Sequence, residues 1–129
     1  MTVERTTIVG LAQVALSVAE IDRATAFYRD VLGLPFLFAA PPGLAFFQAG
    51  ATRLMLTVPA EGERVASHAA LYYAVTDIEA AFAAVTGRGA PVLSPPRMIA
   101  NVGGREVWLA AVEDPDGHMV GLMSEVPVV

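Results

Sequence analysis

The 129-residue chain contains no cysteine and no lysine. Without cysteine it has no disulfide framework, no thiolate metal site and no thiol nucleophile. Without lysine it has neither a phosphate-loop lysine nor a Schiff-base lysine. Its eight basic residues are all arginine, scattered against 13 acidic ones, and the net charge is −5. Nucleic acid is therefore not an expected partner, because phosphate recognition needs a basic face. Apolar runs are broken by polar residues or proline well short of membrane-spanning length, and the opening Met-Thr-Val-Glu-Arg lacks a signal-peptide profile. A cytoplasmic location without a membrane partner is the expectation. Neither a Gly-x-Ser-x-Gly elbow nor a dinucleotide-binding glycine pattern is present.

Apolar residues, by contrast, make up 55% of the chain, and charged residues only 16%. One domain of this length buries a real core. The apolar excess predicts more such surface than a small monomer hides, and so a dimer interface, an apolar pocket, or both.

The chain repeats itself. Gln13–Glu20 reads Gln-Val-Ala-Leu-Ser-Val-Ala-Glu before an Ala/Phe/Tyr-rich helical stretch, and Ala70–Asp77 reads Ala-Leu-Tyr-Tyr-Ala-Val-Thr-Asp before an Ala/Phe-rich one. At one constant offset Val18 matches Val75, Glu20 matches Asp77, Ile21 matches Ile78 and Asp22 matches Glu79. After a slip of one residue, Gly33-Leu34-Pro35 matches Gly89-Ala90-Pro91. A strand, an acidic helix start and a glycine-led exit in the same order point to a duplicated unit.

The first helix is expected from Glu20 or Asp22 to Leu32, stopped by Gly33, with Ala24, Phe27, Tyr28, Val31 and Leu32 as its apolar stripe. The second is expected from Asp77 to about Thr86, with Ile78, Ala81, Phe82 and Val85 inward. Three strands follow each helix: Leu34–Ala39, Leu44–Gln48 and Arg53–Val58, then Pro91–Met98, Glu106–Val112 and His118–Ser124. The first unit spans about residues 11–58, a polar linker 59–67, and the second unit about 68–125. In the leading strands Val14, Leu16 and Val18 share one face, as do Leu71, Tyr73 and Val75. The alternates, Gln13, Ala15 and Ser17 or Ala70, Tyr72 and Ala74, leave room on the other face.

Three motifs in order, Ala26-Phe27-Tyr28-Arg29-Asp30-Val31-Leu32-Gly33-Leu34, Leu71-Tyr72-Tyr73-Ala74-Val75 entering Thr76-Asp77-Ile78, and Asp114-Pro115-Asp116-Gly117, resemble the vicinal-oxygen-chelate group of glyoxalase, bleomycin-resistance and extradiol-dioxygenase proteins. The resemblance runs from about Leu11 to Glu125. It implies an α+β fold in which two βαβββ modules form a half-open, barrel-like sheet around a cavity, with helices outside, and a homodimeric assembly. It also implies a metal site on the inner face, and its ligand positions fall on Gln13, Ala70, Gly121 and Leu54 (Met55 after a one-residue slip). Alanine, glycine and leucine supply no side-chain donor, and one neutral amide does not hold a catalytic ion. No metal ligand and no cofactor are therefore expected at those positions, and a divalent metal in an atypical site stays open.

Other residues suit a ligand wall. Tyr72 shares a face with Ala70, and Trp108 shares one with Glu106 and Ala110; Met123 and the other methionines are adaptable fillers. Arg97, after Pro95-Pro96, suits a carboxylate clamp at a pocket mouth. Glu106 and His68 are the candidates for proton transfer, whereas His118, directly after the Asp-Pro-Asp-Gly turn, reads as a turn stabiliser. The expected function is small-molecule binding in an inter-module cavity. The alternative is a lyase, isomerase or epimerase, metal-independent or with an atypical metal site. A regulatory or structural dimer without a ligand is the third reading.

Overall fold

The computed structural model describes residues 10–59 and 70–128. The expected linker lies mostly outside these residues, and His68 lies wholly outside them. Two runs of elements follow one plan. The first comprises β1 (Gln13–Ser17), α1 (Ile21–Ala26) continued by a π-helical turn over Phe27–Val31, β2 (Phe36–Ala40), β3 (Leu44–Ala49) and β4 (Thr52–Thr57). The second comprises β5 (Leu71–Ala74), α2 (Ile78–Gly87), β6 (Val92–Val102), β7 (Arg105–Glu113) and β8 (Met119–Pro127). Each run makes a four-stranded mixed sheet, ordered β1-β4-β3-β2 and β5-β8-β7-β6. The first and last strands of each pair in parallel, and the rest pair antiparallel. The fold is the expected α+β pair of modules, and the two sheets do not close into a barrel.

Strand register sorts the side chains. In the first sheet Leu16, Leu54, Leu56 and Phe47 turn toward the helices and are buried, joined by Ala24, Phe27 and Tyr28 of the first helix. In the second, Val112, Val120, Ala110 and Leu122 do the same. Val85, Val112 and Val120 belong to the same cluster as Tyr28 and Phe47, so one core crosses between the modules. The opposite face of the first sheet carries Ala15, Met55, Phe46 and Phe38 along one row of paired residues. Phe38 stacks on Phe46 with centroids 4.5 Å apart, and the Arg53 guanidinium lies 6.0 Å from the Phe46 ring.

The first helix differs from the plain α-helix expected over Glu20–Leu32. Its second half winds with the Leu32 N–H donating to the Phe27 carbonyl, five residues back. Gly33 follows at φ +85°, and the Leu34 N–H reaches the Tyr28 carbonyl. The wider turn carries Phe27 and Tyr28 together into the core, their rings edge to face at 5.2 Å. Strand β6 also runs longer than expected. It forms the free edge of the second sheet, holds Pro95 and Pro96 in its middle, and pairs with β7 through shifts of register on either side of them.

The two helix starts align in sequence but not in chemistry. Asp77 caps α2, its Oδ1 accepting the Ala80 N–H at 3.1 Å, whereas Glu20 makes no side-chain cap to α1. Glu20 only approaches Arg23, at 3.6 Å in an exposed pair. Asp77→Ala is expected to lower unfolding free energy by about 1 kcal/mol, and Glu20→Ala by no more than a few tenths. Urea midpoints measure both, and equal losses would show that the caps work alike.

Candidate functional site

The modules meet at a buried carboxylate. Asp114, at the end of β7, has both oxygens filled. Oδ1 accepts the backbone N–H groups of Asp116 at 2.9 Å and His118 at 2.8 Å, and Oδ2 accepts the Tyr28 hydroxyl at 2.7 Å while facing His118 Nδ1 at 2.6 Å. The turn that makes this possible needs Gly117 in the left-handed region, at φ +83°. Asp116 ties the same turn to the first module, its Oδ1 accepting the Ala19 N–H at 2.9 Å with Arg23 at 3.6 Å. Burial first, then the Asp114 charge and hydrogen bond, push the Tyr28 hydroxyl far above the usual phenol range, so it stays a proton donor. His118 thus holds the turn, as its place after Gly117 suggests.

Beside this junction is a cavity of about 590 Å³ between the ends of β1 and β4 on one side and β5 and α2 on the other. Its walls are mostly aliphatic and include Val14, Leu32, Leu34, Leu54, Val85 and Leu122. The polar side chains lining it are Thr52, Tyr72, Tyr73, Arg53 and Arg88. Arg88, following α2, donates from Nε to the Val31 carbonyl at 2.8 Å and so pins the end of the first helix to the second module. Tyr73 is half-buried, and its hydroxyl has no hydrogen-bond partner among the described residues. Burial, then Asp114, raise its ionisation above the usual phenol range. A smaller hollow of about 280 Å³ adjoins Tyr72, Met123, Arg105 and Glu125.

The residues singled out from sequence scatter around this cavity. Tyr72 and Leu54 line it, Leu54 from the helix-covered core and Tyr72 from the edge strand β5. Gly121 sits beneath the Tyr72 ring so closely that an added Cβ would meet the ring's Cδ1 at 2.4 Å. Met123 lines the smaller hollow instead. Gln13 and Ala70 are exposed, and the Gln13 amide points to Met55 Sδ at 3.7 Å. Arg97 is exposed, opposite Leu109 in the register, and lines neither space. Glu106 and Trp108 are on the helix-covered face, where Trp108 packs with Ala110 and Leu122 and its Nε1 donates to Glu106 Oε1 at 3.1 Å. The two form a pair of their own, away from both hollows. Arg88, Arg53 and Tyr73 were not singled out as site residues. Tyr73 falls on the core face with Leu71 and Val75, and arginine on a strand or at a helix end reads as solvated charge.

Metal-ligand types do gather in one place that the expected ligand positions do not include. One ligand atom from each of Asp114, Asp116 and His118 lies within 4.8 Å of the others, a group that can hold an ion. Among the side-chain atoms of these three residues, Asp116 Oδ2 and His118 Nε2 are buried without a partner. The expectation of no metal-ligating residues is corrected to that extent. Both Asp114 oxygens, however, are already occupied by N–H and O–H donors, which a cation would have to displace. At the family's expected positions the residues present do not fit a divalent ion, since Ala70 and Gly121 bring no donor and Leu54 is core.

The comparisons agree with this geometry. The family model described as Glyoxalase/Bleomycin resistance protein/Dioxygenase superfamily matches residues 10–122. No curated protein matches the chain. Among solved structures, a lactoylglutathione lyase from Agrobacterium tumefaciens is similar at 22% identity and TM-score 0.75, over 92% of this chain and 96% of that one. An integron cassette protein from the mobile metagenome of V. cholerae is similar at 23% identity and TM-score 0.75, over 94% and 98%. A glyoxalase-related enzyme from Fulvimarina pelagi is similar at 19% identity and TM-score 0.73, over 91% and 88%. At these identities the likeness is one of fold.

Tyr28→Phe removes one donor from a carboxylate that cannot recruit water. We expect it to lower stability by about 1.5–3 kcal/mol, the scale of a hydrogen bond to a charged group. Denaturant unfolding checks this, and a loss below about 0.5 kcal/mol, within the range of an ordinary surface change, would mean that the junction does not depend on Asp114.

Proposed function

The chain belongs to the Glyoxalase/Bleomycin resistance protein/Dioxygenase superfamily, and from that premise we propose that it is a small-molecule-binding protein holding its ligand in the cavity between the modules. One observation carries the reading: the cavity of about 590 Å³ has a largely aliphatic wall that contains neither a carboxylate nor an imidazole among the described residues. Its size lies within the range of small-molecule sites. Binding needs shape and a few polar anchors. Lyase or isomerase chemistry needs a proton-transfer group within reach of the ligand, and Glu106 is engaged by Trp108 on another face. The lack of side-chain donors at Ala70, Gly121 and Leu54, with a single neutral amide at Gln13, favours action without the family's metal.

A homodimer is part of this reading. Phe36, Leu37 and Phe38 on β2, and Val92, Leu93, Met98 and Ile99 on β6, are exposed large apolar residues at the outer strands of the two sheets. A second copy covering them would hide the apolar excess of the composition. No helix among the described residues is long and apolar enough to cross a membrane, which accords with the cytoplasmic location we propose. A second reading places a metal at Asp114, Asp116 and His118, favoured by the unpartnered Asp116 Oδ2 and His118 Nε2.

Native mass spectrometry of the purified protein tests both readings. We expect a non-covalent organic adduct that survives chelator treatment and disappears in Ala84→Trp, which puts a large ring into the cavity from an exposed helix position. Adduct mass unchanged by Ala84→Trp would place the ligand elsewhere. A stoichiometric divalent ion, lost in His118→Asn, would replace the metal-free reading with the second one.

A further inference from the structure

We propose that Tyr72 anchors the ligand of the cavity and selects a planar aromatic group, with Gly121 as the residue that positions its ring. This deepens the binding reading above and rests on it.

Gly121 is a glycine that its backbone does not need. It pairs with Tyr72 on one side and Ala111 on the other, inside β8, and its φ is not among the positive ones. Glycine within a strand weakens it, and such a residue marks a place where something must approach closely. Here the approaching group is the Tyr72 ring. A Cβ added at Gly121 would meet Cδ1 at 2.4 Å and Cε1 at 2.9 Å, so the ring holds its place only because this residue has no side chain.

The ring so placed is not core packing. Tyr72 stays 49% exposed, while its register partner Gly121 is buried. Its same-face neighbour along β5 is Ala74, and beyond Gly121 stands Ala111, so small residues border the ring. Tyr72 lines both the cavity and the smaller hollow. The larger space adds the aliphatic surface of Val14, Leu54 and Leu122, and the smaller adds Met123, whose sulfur suits aromatic contact. Gly121 is also a position at which the family resemblance implies a metal ligand. An aromatic ring has taken the space of that donor.

These features favour one ligand class. A tyrosine has two side-chain torsions and offers a large contact area at low entropic cost. A planar aromatic group gains from stacking on it beyond the area it buries, and a puckered saturated ring does not. A cation is the other partner of an aromatic face, but the charged residues lining the cavity, Arg53 and Arg88, are themselves cationic.

Calorimetric titration of the full chain with naphthalen-2-ylmethanol and its saturated counterpart, decahydronaphthalen-2-ylmethanol, isolates the aromatic contribution, since the two share a skeleton and a head group. We expect the aromatic probe to bind about three- to tenfold more tightly, with ring-current shifts of its proton signals. Tyr72→Leu should remove both the preference and the shifts while leaving the saturated probe little changed, and Tyr72→Phe should keep them. Gly121→Ala should lower the preference as Tyr72→Leu does, and the double variant should lose no more than either alone. Ala84→Trp should abolish binding of both probes. Equal or tighter binding of the saturated probe, or a preference that survives Tyr72→Leu, would overturn the aromatic anchor and leave the binding reading intact. A preference that survives Gly121→Ala would overturn the role given to that glycine. Aromatic binding untouched by Ala84→Trp would overturn the location. Failure of both probes to bind would overturn the proposal, and the adduct measurement above would then decide the broader reading on its own.

Discussion

The carboxylate of Asp114 is the point on which the two halves turn. It receives four donors, of which one, the Tyr28 hydroxyl, comes from the other module. A buried charge is costly unless it is fully answered, so the arrangement demands that the first helix, the β7–β8 turn and the imidazole of His118 be in place together. The shared apolar cluster follows from this junction. Once Tyr28 is fixed on Asp114, Phe27 and Phe47 on one side and Val112 and Val120 on the other close around it. The cavity is what remains beyond that contact, where β1 and β5 approach as sheet edges but do not hydrogen-bond.

Much of this was legible in the sequence, because alternation and repetition are local properties. The paired modules, the positions of the strands and the inward stripe of Leu16, Val18, Ile78 and Val85 all follow from side-chain periodicity. The motifs containing Tyr28 and Asp114 stood out separately. Nothing local says that a phenol and a carboxylate so far apart in the chain should meet. The π-helical turn was also hidden, since one extra residue in a helical turn leaves the composition of the stripe unchanged. The candidate site was read least well for a related reason. The faces of the later strands depend on register, and the shifts along β6 break any count carried through from the turn. Glu106 and Trp108 share a face with Ala110, yet on that face it is Leu122 and the α2 residues Ala81 and Val85 that reach the cavity, and neither Glu106 nor Trp108 lines it.

Duplication has left the halves alike in backbone and unlike in chemistry. Where the first sheet pairs Ala15 with Met55, the second pairs Tyr72 with Gly121. The Tyr72 ring lies over the glycine, in space that any side chain at that position would claim. Tyr72 therefore gives the second module an aromatic surface at the cavity that the first does not match, so the two walls of the cavity differ.

The adjacent prolines of β6 have a consequence for how this protein meets others. An outer strand with exposed valine, leucine, methionine and isoleucine is an invitation to indefinite strand addition. Pro95 and Pro96 supply no N–H groups at the middle of that strand, and the register there is already irregular. A neighbouring backbone cannot zip along it. Contact with another molecule across the middle of this border falls to side chains seated against side chains, in place of an unbroken ladder of backbone hydrogen bonds.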